Sequence, residues 1–321
     1  MFGSIYPLNS SHKVSIIGAS LGWGAQIHET EHGPDYLYAS LLKKKMNQQG
    51  FDPKWQNVLY PVIRKSDQIE ALKKDEVLNL IEDFVSRLSD QVKSVILEDN
   101  FPLIFGGDHS LAIGTWSGVT QALNAHQQFG LLWMDAHMDS HTPETSPSQA
   151  YHGMPVATLM GYGEACLTDL TKSCAKLDPA HVVLYGIRSY EPEEKTLLDR
   201  LKVRIYYMDE INQRGIDQTM NEAVDYLNQN TKGFGISLDL DVFDPAEVPG
   251  VGSPEFGGLP VEETLDVLSQ IVPNLQLRAF EVTEFNPCRD YDDKTLYAAQ
   301  KIIEMIVKGK ALNKSKEKIY A

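Results

Sequence analysis

Gly130-Leu-Leu-Trp-Met-Asp-Ala-His-Met-Asp139 (GLLWMDAHMD) is the stretch that decides the fold. Its first five residues form a short, unbroken apolar run, as expected of a strand covered by helices on both faces. The next five change character at once, with Asp135, His137 and Asp139 at every second position. In an extended chain, side chains two residues apart point the same way, so these three converge beyond the strand's end. Two more segments repeat the arrangement. Gly233–Leu238 (GFGISL) runs into Asp239-Leu240-Asp241, and Phe101–Phe105 (FPLIF) runs into Gly106-Gly107-Asp108-His109-Ser110, where two glycines permit a tight turn.

Working outward, further strand-like runs are Lys13–Gly18, His181–Gly186, Val203–Met208 and Leu275–Phe280. Longer amphipathic stretches lie between them: Asp35–Met46, Asp75–Leu97, Leu111–His126, Ile216–Asn228, Val261–Ile271 and Lys294–Val307. Pro260 before Val261-Glu262-Glu263 reads as a helix start, with acids near its positive end. Such alternation predicts an α/β fold, a mostly parallel sheet with helices on both faces. No repeat, linker or composition shift divides the chain, so residues 1–321 are expected to form one domain. The basic stretch 308–321 (KGKALNKSKEKIYA) is expected to be a mobile tail. In open parallel sheets, functional groups gather past the carboxyl ends of the strands. The acids and histidines named above fall there.

Composition narrows the function. The net charge of −15 speaks against a nucleic-acid partner, which calls for a basic surface. No apolar run reaches 18 residues, and Met1–Ser11 lacks a secretory pattern, so neither membrane insertion nor export is expected and a cytoplasmic location is. Cys166, Cys174 and Cys288 are odd in number and lack metal or redox spacing, as in a reducing compartment.

His109, Asp135, His137, Asp139, Asp239 and Asp241 together supply four carboxylates and two imidazoles. Four bare carboxylates in one site repel one another, and two divalent cations would cancel their charge. Oxygen-rich donors without sulfur favour Mn²⁺ over Zn²⁺, with Co²⁺, Fe²⁺ and Ni²⁺ also compatible. Ions bridged by carboxylates ~3.5–4 Å apart lower the pKa of a bound water and so provide hydroxide near neutral pH.

GGDHS, DAHMDSHTPETSPS and SLDLDVFDP resemble the three signature blocks of the ureohydrolase family, which includes arginases and agmatinases. Gly18-Ala19-Ser20 with Glu31-His32-Gly33-Pro34, and Glu281-Val282-Thr283-Glu284-Phe285-Asn286-Pro287, extend the resemblance over nearly the whole chain. It implies a three-layer α/β/α sandwich, two Mn²⁺ per chain, and a homotrimer or homohexamer. It also implies hydrolysis of a guanidino compound, with Glu284 holding the guanidinium, His152 shuttling a proton and Asp139 among the catalytic ligands.

The His152-Gly153-Met154-Pro155 segment and the Ser146-Pro147-Ser148 loop are more similar to arginases than to agmatinases. Cleavage of L-arginine to L-ornithine and urea is therefore the leading expectation, with agmatine, guanidinobutyrate or formiminoglutamate as alternatives. By the same resemblance Ser146, Ser148 and His141 would meet the substrate's carboxylate and Glu191 its amine. His141 stands where arginases carry asparagine, and Glu191 where they carry aspartate. Gln149-Ala150-Tyr151 replaces the usual Gly-Asn before His152. A single-zinc amide hydrolase and a non-enzymatic metal-binding scaffold are the competing classes.

Overall fold

The computed structural model describes residues 14–47, 54–62 and 72–320; side chains are described within these except at 42–47 and 312–320. Among the described residues eight strands form one sheet: β1 (Val14–Ala19), β2 (Lys54–Leu59), β3 (Phe101–Gly106), β4 (Gly130–Met134), β5 (Val182–Ile187), β6 (Arg204–Tyr207), β7 (Phe234–Asp239) and β8 (Leu277–Thr283). Their order is β2-β1-β3-β8-β7-β4-β5-β6, and every pairing is parallel. The same residues hold ten helices: α1 (Gly33–Asn47), α2 (Lys74–Leu97), α3 (Ala112–Ala122), α4 (Pro155–Leu159), α5 (Ala165–Thr168), α6 (Pro192–Leu201), α7 (Met208–Arg214), α8 (Ile216–Asn230), α9 (Val261–Ile271) and α10 (Lys294–Tyr320). The architecture is the expected three-layer α/β/α sandwich.

Two apolar cores lie on opposite faces of the sheet. Along β3, Phe101, Leu103 and Phe105 join one core and Ile104 the other; along β4, Leu132 and Met134 divide from Leu131 and Trp133. This is the period-two alternation of a pleated strand, with apolar residues on both sides because both sides are covered. The first core also takes α1, α8, α9 and α10, and the second takes α2 and α3. Ile81, Phe84, Val85, Leu88, Val92 and Val95 make the buried stripe of α2. Gly114 and Gly118, one turn apart on α3, let the two helices touch, since a Cβ there would stand 2.6 Å from the Val85 carbonyl oxygen and 2.4 Å from that of Ser89.

Three local readings of the sequence change. β2 went unread because KWQNVL is a half-exposed edge strand whose polar residues dilute the apolar pattern. The helix expected to reach His126 ends at Ala122, and Asn124 turns to φ +48° beyond it. The basic stretch from residue 308 is not a free tail at its start. It continues α10, and Lys310 is buried with Nζ donating to the carbonyls of Asn274 and Leu277 beside the Phe101 ring. The end of that stretch, from 312, lies outside the described side chains. Among the described residues no helix is long and apolar enough to cross a membrane, and the three cysteines are unpaired.

Candidate metal centre and active site

The sheet order brings the carboxyl ends of β3, β8, β7 and β4 side by side. His109 follows β3, Asp135, His137 and Asp139 follow β4, Asp239 ends β7 with Asp241 beyond it, and Glu284 follows β8. All six expected ligands meet. His109 Nδ1 lies 3.1 Å from an Asp135 oxygen, 3.3 Å from Asp139 and 3.1 Å from Asp239. His137 Nδ1 lies 3.1 Å from Asp241 and 3.4 Å from Asp135. The donors fall into two sets, His109/Asp135/Asp239 and Asp135/His137/Asp241, that share Asp135. Asp139 joins the first only through a turn at φ +45°, so the segment after β4 is not simply an extended strand.

The aspartates are held by their backs. Asp239 Oδ1 accepts from the Asp241 amide at 2.8 Å and Asp241 Oδ1 from the Ala136 amide at 3.2 Å, which turns each Oδ2 toward the cluster. Asp135 accepts from the His137 amide at 2.7 Å and from Trp133 Nε1 at 2.9 Å. The Trp133 ring stacks on His109 with centroids 3.9 Å apart. Burial, then the neighbouring carboxylates, push the pKa of Asp239 and Asp241 up, and that of Asp139 to about 6.

The cluster fits divalent cations. His109 Nδ1 is buried and has no hydrogen-bond partner, although three carboxylate oxygens surround it. Buried carboxylates converging on one point repel one another, and a cation at their centre relieves that repulsion. Imidazole with carboxylate is a donor set for Mn²⁺, Co²⁺, Fe²⁺ or Zn²⁺.

Beside the cluster opens a cavity of about 170 Å³, lined by His137, Asp139, His141, Ser148, His152, Glu191, Glu194, Asp239, Asp241, Ser253 and Glu284 among others. Glu284 sits at φ +66°, a backbone strain of the sort that collects at working sites. Its Oε1 accepts from the His109 amide at 2.9 Å and faces His152 Nδ1 at 3.1 Å. Its Oε2 is buried without a partner. Gly252 passes so close that a Cβ there would stand 2.3 Å from Oε2. Burial works against a charged His152, but Glu284, with Asp108 and Asp139 behind it, outweighs burial and raises its pKa to about 9.

The substrate-loop residues divide. Ser148 lines the cavity, whereas Ser146 sits behind the wall with its Oγ accepting from the Gln149 amide. His141 also lines the cavity, but Nδ1 pairs with Thr145 Oγ1 at 3.1 Å and Nε2 lies 3.2 Å from Glu191 Oε2. Sequence reasoning missed Glu194, which is buried, accepts from the Ser140 and Glu191 amides, and has its pKa pushed to about 8 by burial and by Glu191. Its signal was available: Glu191 and Glu194 flank Pro192 in capping-box spacing at the start of α6. Arg188 was missed as well. Its guanidinium donates to six carbonyls, those of Gly186, Asp241, Val242, Phe243, Glu255 and Phe256, and so pins the loop that carries Ser253. No local pattern announces that role.

Residues 12–308 match the Arginase family. This chain belongs to the arginase family. The arginase of Bacillus caldovelox is 33% identical over 89% of this chain and 95% of its own. The crystal structure of arginase from Bacillus subtilis superposes with a TM-score of 0.82 at 31% identity, covering 92% of this chain and 98% of that one. The Entamoeba histolytica arginase in complex with L-ornithine gives 0.79 at 26% identity, covering 92% and 98%. As an arginase-family hydrolase, this chain carries its buried His/Asp groups in a form that could hold metal.

Proposed function

We propose that this arginase-family protein hydrolyses the guanidino group of L-arginine to L-ornithine and urea at a centre of two Mn²⁺ ions. His109, Asp135, His137, Asp139, Asp239 and Asp241 would hold them, and they would supply a water of lowered pKa as nucleophile. The reaction adds water across a C–N bond: oxygen goes to the guanidinium carbon, and the departing nitrogen takes a proton. The observation that carries the reading is the orphaned Glu284 Oε2 beside the metal cluster. A carboxylate oxygen with no donor of its own fits a guanidinium N–H, and the charge on both partners strengthens that bond. Holding the planar guanidinium still matters here because its delocalised charge makes it a poor electrophile. His152 keeps Nδ1 on Glu284 and leaves Nε2 to deliver the proton to the leaving amine.

Glu191 and Glu194 are suited to an ammonium group and the Ser148 hydroxyl to a carboxylate, which together describe an α-amino acid. A second reading has one observation in its favour. Both His141 nitrogens are already engaged, so His141 adds no free donor for a carboxylate, and a substrate with an amine alone, such as agmatine, would lose little. Urea release from arginine, agmatine and guanidinobutyrate, and formamide release from formiminoglutamate, by Mn²⁺-loaded protein decides. Arginine turned over at least tenfold better than the others is the expected result, and agmatine hydrolysis without arginine hydrolysis would overturn the assignment. A homotrimer or homohexamer belongs to the same proposal; a monomer in analytical ultracentrifugation would remove that part.

A further inference from the structure

Beneath the metal cluster lies a buried carboxylate that the mechanism does not use. Glu281 on β8 is fully buried, and the sheet register sets it beside Ser237 on β7. Ser237 Oγ donates to Glu281 Oε1 at 2.7 Å, and Trp116 Nε1 donates to the same oxygen at 3.2 Å. The other side of Ser237 Oγ meets His109 Nε2 at 2.9 Å. His109 Nδ1, on the far edge of that ring, is the orphaned nitrogen that faces Asp135, Asp139 and Asp239.

The direction of this chain follows from counting protons. Two donors converge on Glu281 Oε1, so that oxygen acts as an acceptor. The single hydroxyl proton of Ser237 is committed to it, and the Ser237 oxygen can then only accept toward His109. The bond to His109 therefore requires a proton on Nε2. With Nε2 protonated, a neutral imidazole has its lone pair on Nδ1, the nitrogen turned to the cluster.

We propose that Glu281 and Ser237 are positioning residues that act through His109, fixing the ring orientation and the tautomer with which it binds a divalent cation. Resting as it does on the reading that the cluster holds cations, the proposal adds a determinant two residues removed from the ligand: a buried carboxyl acceptor that reaches His109 through one hydroxyl. Such outer partners raise ligand basicity, and losing one typically weakens metal binding ~10- to 100-fold. The two cation positions differ in this respect. On the second one, His137 Nε2 faces, among the described residues, the half-exposed Glu255 at 3.9 Å, beyond hydrogen-bond reach.

The test is Mn²⁺ binding, followed by electron paramagnetic resonance titration of free ion against chelator-stripped full-length protein. Ser237→Ala removes the link, and Glu281→Met removes the acceptor while preserving volume. Each is expected to weaken one of the two cations ~10- to 100-fold and leave the other within about twofold. Glu281→Gln keeps an amide oxygen at the acceptor position and is expected to retain most of the affinity that Glu281→Met loses, whereas a role in packing alone would treat the two alike. Melting of each variant in excess chelator reports its fold without cations. Wild-type dissociation constants for both cations in folded Ser237→Ala and Glu281→Met would overturn the relay. Wild-type protein that binds no divalent cation would instead overturn the metal reading on which it rests.

Discussion

Asp135 is the one donor common to both ligand sets, so chelation and substitution should strip the protein of stability in unequal steps. A cation held at a free concentration ~100 times its Kd stabilises the folded state by ~2.7 kcal/mol. Two sites saturated to that degree contribute ~5 kcal/mol. With an unfolding entropy of ~2.1 cal/mol/K per residue over 321 residues, this corresponds to ~8 °C in Tm. Calorimetry with Mn²⁺ and with EDTA should show that difference in the wild-type protein. Asp241→Asn, which touches one set, should keep about half of the Mn²⁺-dependent gain. Asp135→Asn should keep almost none, and elemental analysis should fall in parallel from two ions toward one and toward zero. Equal losses in the two variants would refute the shared-ligand geometry. No EDTA effect on protein that contains stoichiometric metal would refute the energetic argument.

Glu284→Gln places an amide N–H where an acceptor is needed. It should reduce kcat/KM for urea release about 10- to 100-fold, the worth of a hydrogen bond to a charged group, while Mn²⁺ stoichiometry stays at two; loss of metal in step with activity would make Glu284 structural. His152 gives a pH test in chelator-treated protein. Its folded pKa of about 9 lies above the unfolded value of ~6.5, so its contribution to stability is fully present below pH ~6.5 and is lost as pH rises through about 9. In urea denaturation, the stability gap between wild type and His152→Ala should be widest near pH 6 and close by pH ~10. A gap independent of pH would mean that His152 stays neutral beside Glu284.

Much of this protein is written locally. The apolar runs of β3, β4 and β7 and the ligands at their ends are consecutive in the chain, so strand periodicity alone aims Asp135 and His137, and Asp239 and Asp241, at common points. A charge count on those residues then calls for cations. The candidate ligands were legible in that sense, whereas Glu284 was legible only through the resemblance of its segment to the family's. β2 was not, because an edge strand that is half wet has no need of the apolar pattern that betrays its neighbours. The tertiary structure alone decided the rest. Strand order set β3, β8, β7 and β4 side by side and merged three motifs into one centre. Parallel register put Ser237 beside Glu281, more than forty residues away, and so gave a core glutamate a partner that reaches His109. At the cavity wall, His141 looked like a donor for the substrate, but packing turned it to Thr145 and Glu191. The division has a physical cause. Backbone geometry and solvent exposure act over a few residues and leave a periodic trace in the sequence, whereas a hydrogen bond between distant side chains depends on which strands become neighbours.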